Sequence, residues 1–175
     1  GEAGAAVRGE TDATDGGPGL AGDDLWRLAL SSYLTGDKDG FVRALEEAHH
    51  AHLDAGDRAA AVRAAFWIGL DLADRGEMAR ASGWFGRAGR LLEQVDSECA
   101  EQGYMLLPTG QAQLGAGDYD ACVDTARRAE KLAQRFGDDD LLTLAVHLRG
   151  RALLRKGRVD DGLALLDEAM VSVVS

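Results

Sequence analysis

The chain has 175 residues and a formal net charge of −11, which arises from 19 Lys and Arg residues against 30 Asp and Glu residues. Such an acidic chain does not attract phosphates, so direct binding to nucleic acid or to anionic lipid is not expected. Alanine (30 residues) and leucine (24 residues) outnumber the 17 Val, Ile and Thr residues, a balance that favours helices over strands. We therefore expect an all-α protein whose length suffices for one domain.

Residues 1–22 are rich in glycine, alanine and acids and hold almost no large apolar side chains. Such a segment buries too little surface to offset the entropy of ordering. It is predicted to be a disordered tail, and residues 23–175 are predicted to form the folded domain.

Turn signals recur about every 20 residues from Leu25 onward. Glycine followed by an acid ends one helix and starts the next, because glycine adopts the left-handed conformation and the acid favours a helix N-terminus. The turns are Gly36-Asp37, Gly56-Asp57, Gly76-Glu77, Val95-Asp96-Ser97, Gly117-Asp118, Gly137-Asp138 and Gly157-Arg158. Each interval is predicted to hold one helix of about 15 residues.

The intervals pair into a longer repeat, in which small residues recur at fixed distances from the turn glycines. Spacings of 40, 41 and 40 residues separate the glycines of successive hairpins, Gly36, Gly76, Gly117 and Gly157. The small residues of the first repeat align with those of the other three repeats only if its turn contains three extra residues, 38–40. A period of about 40 residues indicates a solenoid of about four antiparallel helical hairpins.

The second hairpin resembles the tetratricopeptide repeat. That repeat places a small residue in its first helix, a glycine in its turn, and alanine, a bulky residue and alanine in its second helix. The matching residues are Gly69, Gly76, Ala81, Phe85 and Ala88. The resemblance implies a right-handed, tetratricopeptide-like solenoid. An unrelated helical array, such as a HEAT-like solenoid, stays open as an alternative.

The resemblance also implies a concave groove lined by the first helix of each hairpin. The groove candidates are Trp26, Tyr33, Arg63, Phe66, Tyr104, Gln111, His147, Arg151 and Arg155, together with Leu30, Leu70 and Leu107. Aromatic residues lie toward the N-terminal end and basic residues toward the C-terminal end, which suits a peptide or small molecule that carries an acid. The alternative is that the aromatic residues belong to the core and that the arginines form a solvated helix end.

No catalytic motif occurs in the chain, since GxSxG, HExxH and the P-loop are all missing. In the His49, His50 and His52 cluster, His49 and His50 diverge by about 100° on a helix, so no metal site is predicted. The acidic triplet at 138–140 is predicted to cap a helix. We therefore expect a noncatalytic protein without cofactors. An enzyme would require a site that only the tertiary structure assembles.

The two cysteines, Cys99 and Cys122, form no CxxC pair and no zinc-ligand pattern, which is typical of a reducing compartment. No apolar run reaches the roughly 20 residues that a membrane-spanning helix requires, and no signal-peptide pattern opens the chain. We predict a cytoplasmic protein that does not associate with membranes.

Three glycines, Gly83, Gly86 and Gly89, recur every three residues within one predicted helix and flatten one of its faces. One interpretation is a surface that a neighbouring helix or subunit approaches closely, and the other is tight packing within the solenoid. We favour tight packing within the solenoid.

The last predicted helix, from about Val159 to the end, carries apolar residues around most of its circumference. They are Leu163, Leu165, Leu166, Met170, Val171, Val173 and Val174. A terminal repeat needs a polar outer face, so we expect that the natural chain continues beyond Ser175 or that this helix self-associates.

Three stretches resemble the tetratricopeptide region of actinobacterial LuxR-type helix-turn-helix transcriptional regulators. They are DDLWRLALSSYLTGDKDGFVRALEEAHHAHLDAGD (23–57), RGEMARASGWFGRAGRLLE (75–93) and RGRALLRKGRVDDGLALLDEAMVSV (149–173). The resemblance implies a sensor or interaction segment that binds a peptide, protein or small effector and regulates DNA binding by a C-terminal helix-turn-helix domain. That domain is missing from the chain, so DNA is expected as a partner only through it. The alternative is a stand-alone tetratricopeptide-like scaffold unrelated to transcription.

Overall fold

The computed structural model describes residues 20–173, with side chains described as far as Met170. All regular structure in this range is helical, which confirms the predicted all-α class. The helices are α1 (Gly22–Leu34), α2 (Lys38–Asp54), α3 (Arg58–Asp74), α4 (Met78–Leu92), α5 (Glu101–Tyr104), α6 (Leu106–Ala116), α7 (Tyr119–Phe136), α8 (Asp139–Arg155) and α9 (Val159–Val173). Between residues 20 and 173, no helix is long and apolar enough to cross a membrane.

The turns follow the predicted chemistry. All six predicted turn glycines adopt positive φ angles, between 65° and 82°. At four helix starts, an aspartate side chain accepts a hydrogen bond from the backbone N–H three residues later, which satisfies a donor that the helix itself leaves unpaired. These N-caps are Asp37, Asp57, Asp118 and Asp138. The prediction that the triplet at 138–140 caps a helix is therefore confirmed.

The third hairpin departs from the expectation of one helix in each interval. Its first helix is divided at Met105 into α5, of 4 residues, and α6, of 11 residues. Pro108 explains the division, because proline has no N–H to donate to the carbonyl of Tyr104 and its ring crowds that carbonyl.

Successive helices pack side by side. The principal pairs are α1 with α2, α2 with α3, α3 with α4, α6 with α7, α7 with α8, and α8 with α9. The short turns reverse the chain, so these pairs are antiparallel. In addition, α3 contacts α5 and α6 contacts α8. The first helices of the second, third and fourth hairpins therefore lie beside one another, which brings residues of different repeats onto one surface.

The first hairpin needs no insertion. Residues 38–40 form the first turn of α2 rather than an extended loop. The core-facing residues of α2 then match those of α4 directly. Phe41, Leu45 and Ala48 lie at the same distances from their turn glycine as Ala81, the half-buried Phe85 and Ala88. The predicted register of the first repeat was wrong because it was obtained by matching small residues. The core-facing positions hold both small and large side chains, so the small residues alone do not define the register.

The structure describes only part of the segments predicted for the two ends of the domain. Residues 1–19 of the predicted tail lie outside the described residues, but Gly22 already begins α1. In α9, Leu163 and Met170 are exposed, whereas Leu165 and Leu166 are half-buried. The side chains of Val171 and Val173 are not described, and Val174 lies outside the described residues.

The glycine face of α4 is open. Among the described residues, a Cβ atom added at Gly83 or Gly89 would meet no atom within 4 Å, and one added at Gly86 would meet only Arg90. The favoured interpretation of tight packing within the solenoid was therefore wrong. The close approaches lie elsewhere, at Gly69 against Phe85 and between Gly150 and Gly162.

Alanine substitutions at two helical glycines should have effects of opposite sign. A Cβ at Gly162 would lie 2.9 Å from the carbonyl oxygen of Gly150, a backbone atom that cannot rotate away. Gly162→Ala should therefore destabilise the domain by about 1 kcal/mol or more. Gly83→Ala, on the open face of α4, should stabilise it by about 0.5–1 kcal/mol. Urea denaturation followed by circular dichroism measures both, and stabilisation by Gly162→Ala would contradict the close approach of α8 and α9.

Candidate functional site

Two adjoining surface depressions lie where several helices begin or end. The larger encloses about 750 Å³ and the smaller about 370 Å³, and Arg63 and Glu101 line both. The larger is also lined by Glu98, Cys99, Ala100, Phe136, Gly137, Asp138, Asp139 and Asp140. The smaller is also lined by Asp23, Trp26, His52, Asp57, Ala59 and Ala60. Together they run past the N-terminal ends of α1, α3, α5 and α8.

Arg63 forms the divide between the depressions and is fully engaged by two acids. Its Nη2 lies 2.7 Å from Glu101 Oε1 and 2.8 Å from Asp138 Oδ2, and its Nε donates to Glu101 Oε1 at 2.9 Å. The two carboxylates are only 7% and 8% exposed, so they depend on Arg63 for compensation of their charge. Arg63 thus joins α3 to α5 and to the start of α8.

Tyr104, which is buried, contacts both Arg63 and Asp138 of this ion network. Its hydroxyl donates to Asp138 Oδ1 at 2.8 Å, and the guanidinium of Arg63 lies 5.1 Å from the centre of its ring. Burial and the bond to Asp138 raise the pKa of Tyr104, so the phenol stays protonated and acts as a donor. Burial opposes the charge of Arg63, but Glu101, Tyr104 and Asp138 outweigh it and raise the pKa of the guanidinium.

The charge of the depressions is strongly negative. Their acidic lining residues are Asp23, Asp57, Glu98, Glu101, Asp138, Asp139 and Asp140. Among the lining residues, Arg63 is the sole Lys or Arg, and its charge is already paired. Glu98 is paired with Arg135. The remaining carboxylates at the rim, such as Asp139 and Asp140, are exposed and available to a cation.

The predicted aromatic groove residues occupy three different environments. Trp26 is half-buried and lines the smaller depression. Tyr33 is 60% exposed at the end of α1, with its ring against Phe41. Phe66 and Tyr104, at 1% and 0% exposure, lie in the core and not in a groove, and their ring centres are 5.0 Å apart. For these two residues the alternative interpretation, ordinary core packing, is correct.

The predicted basic residues form a second, separate surface on α6 and α8. Arg151 donates to Gln111 Oε1 at 3.0 Å, which brings together two predicted residues 40 positions apart. His147 is exposed, and partial burial together with nearby Arg151 lowers its pKa. Arg155 is exposed and has no ion-pair partner within residues 20–173. Of the predicted leucines, Leu30 is exposed, Leu70 is half-buried and Leu107 is buried.

The acids of the depressions were not among the predicted groove residues. A signal for them is present in the chain, because an acid recurs at the start of each first helix, at Asp23, Asp57, Glu101 and Asp138. These positions are readily interpreted as caps or as partners of the helix dipole. Their convergence on one surface becomes evident only when the first helices are placed side by side.

The depressions offer carboxylates and aromatic rings rather than an activated thiol. Burial raises the pKa of both thiols, Cys99 and Cys122, so neither is an activated nucleophile. Within residues 20–173, no group of three or more His, Cys, Asp and Glu residues has an arrangement that could hold a metal ion. What the depressions offer is a row of carboxylates beside the partly exposed rings of Trp26 and Phe136.

Comparisons with known proteins show the fold alone. No protein-family model and no curated protein matches the chain. Among solved structures, the crystal structure of BtubC (BKLC) from P. vanneervenii is similar, with a TM-score of 0.56 at 16% sequence identity. The similar region covers 87% of this chain and 63% of that chain, so this protein spans less than two thirds of BtubC. The likeness therefore shows a similar arrangement of helices over the matched region.

Proposed function

We propose that this chain is a noncatalytic interaction module, a right-handed solenoid of the tetratricopeptide type, whose acid-lined depressions bind a Lys- or Arg-rich segment of a partner protein. The observation that carries the proposal is the convergence of seven acids on two adjoining depressions that share Arg63 and Glu101. The repeat spacing of about 40 residues and the lateral contacts of first helices support the solenoid.

The acids of the depressions favour a cationic ligand. The arginines of the predicted groove, in contrast, suggest a ligand that carries an acid. A lysine or arginine of the partner would meet Asp139 and Asp140, which form no ion pair within the described residues. Its apolar stem would lie against the exposed edge of Phe136 or against Trp26. Charge attraction of this kind speeds association and selects against acidic partners.

Charge reversal at the rim tests this proposal. Asp139→Lys with Asp140→Lys should weaken binding of a fluorescent peptide of alternating lysine and leucine by about tenfold, because two attractive contacts become repulsive. The matched control is Asp167→Lys with Glu168→Lys on α9, an equal change of charge at exposed residues outside the depressions. The control should alter binding less than about twofold. Equal losses in both variants would show only nonspecific attraction and would contradict the site.

The surface of Gln111, His147, Arg151 and Arg155 supports a second candidate, a site for an acidic peptide or effector. Their juxtaposition is the observation that favours it. Arg151→Glu with Arg155→Glu should then abolish binding of a glutamate-leucine peptide and leave helicity intact. The matched control is Arg127→Glu with Arg128→Glu, at exposed positions of α7. Unchanged affinity in the first variant would assign these arginines to the solvated surface.

The resemblance to LuxR-type regulators supports a more specific cytoplasmic role. In such a protein, occupancy of the array would bias its curvature or self-association and thereby the activity of an attached DNA-binding domain. Gel-shift measurements on the full product of the gene, with and without the bound partner, test this role. Nanomolar binding of the present chain itself to duplex DNA would contradict it, and a gene without a helix-turn-helix domain would favour a stand-alone scaffold.

A further inference from the structure

His49 occupies an unusual position for a titratable side chain. It lies on α2 and is 0% exposed, at the junction where α2 meets α3 and α4. Its Nδ1 lies 2.8 Å from the carbonyl oxygen of Ala61 on α3. Because a carbonyl can only accept, Nδ1 carries the proton and donates this bond. His49 is therefore a hydrogen-bonded link between the first and second hairpins.

The other ring nitrogen of His49, Nε2, is buried and forms no hydrogen bond within residues 20–173. The ring meets the indole of Trp84 edge-on, with centres 5.3 Å apart. In the neutral ring Nε2 carries only a lone pair. A second proton would require an acceptor or water, and a side chain that is 0% exposed with Nε2 unpaired has neither.

The charged neighbours of His49 would also oppose a second proton. The groups that act on its charge are His50 and His52 on α2 and Arg87 on α4, while α3 contributes the carbonyl of Ala61. The guanidinium of Arg87 lies 4.8 Å from the centre of the Trp84 ring, on which His49 packs. Burial, followed by these cationic neighbours, lowers the pKa of His49, against the opposing effect of the bond to Ala61.

We propose that His49 makes the junction of α2, α3 and α4 an acid-sensitive joint, which opens when the pH falls below the range in which a free imidazole is neutral. In the open form, Nε2 is exposed to water and accepts a proton. In the closed form, protonation of Nε2 is unfavourable. The closed form is fully favoured above pH 6.5, the ordinary value for histidine, and is progressively lost below it. His52 and Asp57, which line the smaller depression, flank this joint, so its opening would also alter the proposed binding surface.

Hydrogen exchange of the full chain tests the joint without any ligand, so its outcome is independent of the proposed function. Between about pH 7.5 and about pH 5.5, protection factors of residues 41–73 should fall by up to about tenfold, because proton uptake stabilises the open form. Residues 120–136 of α7, which contain no histidine, serve as the internal reference and should change less.

Two variants assign the effect to His49. His49→Asn keeps a donor near the position of Nδ1, and His49→Phe keeps an apolar ring; neither can titrate. Both should abolish the additional acid-dependent loss in residues 41–73. His50→Asn, at the exposed neighbour, should retain it. Constant protection in the unmodified chain, the same loss in both His49 variants, or an equal loss throughout the chain would each overturn the proposal.

Discussion

Replacing Phe66 with alanine should lower the free energy of unfolding by about 4 kcal/mol, the largest effect expected for any residue predicted to line the groove. Phe66 is 1% exposed and contacts the rings of Trp67, Phe85 and Tyr104, with centre distances of 5.6, 6.1 and 5.0 Å. It belongs to the core cluster that extends from α3 through α5, α6, α7 and α8. Its loss would leave a cavity between the second and third hairpins, where no neighbouring element can readily fill the space.

Tyr33→Ala is the matched control for this prediction, because Tyr33 is an aromatic residue from the same predicted groove but is 60% exposed. It should cost about 1 kcal/mol or less. Urea denaturation monitored by circular dichroism measures both variants. If Phe66→Ala were as mild as Tyr33→Ala, Phe66 would be a surface residue after all and the core would not extend between the two hairpins.

Replacing Arg63 with methionine should cost about 3 kcal/mol of stability, because it leaves the carboxylates of Glu101 and Asp138 buried without a cation. The estimate lies at the low end for a broken buried ion pair, since the Arg63 side chain is itself 34% exposed and water can partly replace it. Methionine retains the apolar stem of arginine without the guanidinium, so the loss reports mainly the charge and hydrogen bonds rather than packing.

Two comparisons define this effect. Arg63→Lys keeps the charge but cannot reach Glu101 and Asp138 through a planar fork, so its loss should be intermediate. Arg27→Met removes a partner of Asp24 from an exposed ion pair and should change stability by less than about 0.5 kcal/mol. Equal losses for Arg63→Met and Arg27→Met, by equilibrium denaturation, would show that Glu101 and Asp138 are solvated and that Arg63 does not join the three helices.

The helix boundaries were largely predictable because they depend on residues close together in the chain. A glycine with positive φ and an aspartate that accepts a backbone N–H three residues later are local events. The same local logic failed in the third hairpin, where the effect of Pro108 on the carbonyl of Tyr104 was not anticipated. The predicted register of α2 was also wrong, because the spacing of small residues alone does not show which positions pack against the neighbouring helix.

The candidate site was only partly predictable. Arg63 and Trp26 were expected to face a groove and do line the depressions. Phe66 and Tyr104 were expected there too but are buried. On a helix, neighbouring positions differ by about 100°, so the choice between groove and core depends on which side the next helix packs. The periodicity of the chain does not contain that information.

Local propensities and composition sufficed to predict the helical class, the turns, the hairpin period and the acidic charge. Where that charge gathers, and which group compensates it, depends on how the helices pack. Arg63 meets Glu101, 38 residues away, because α3 lies against α5, and Tyr104 reaches Asp138 because the start of α8 lies beside them. Ion pairs and burial depend on distances between helices, and these distances are set by packing rather than by residue order.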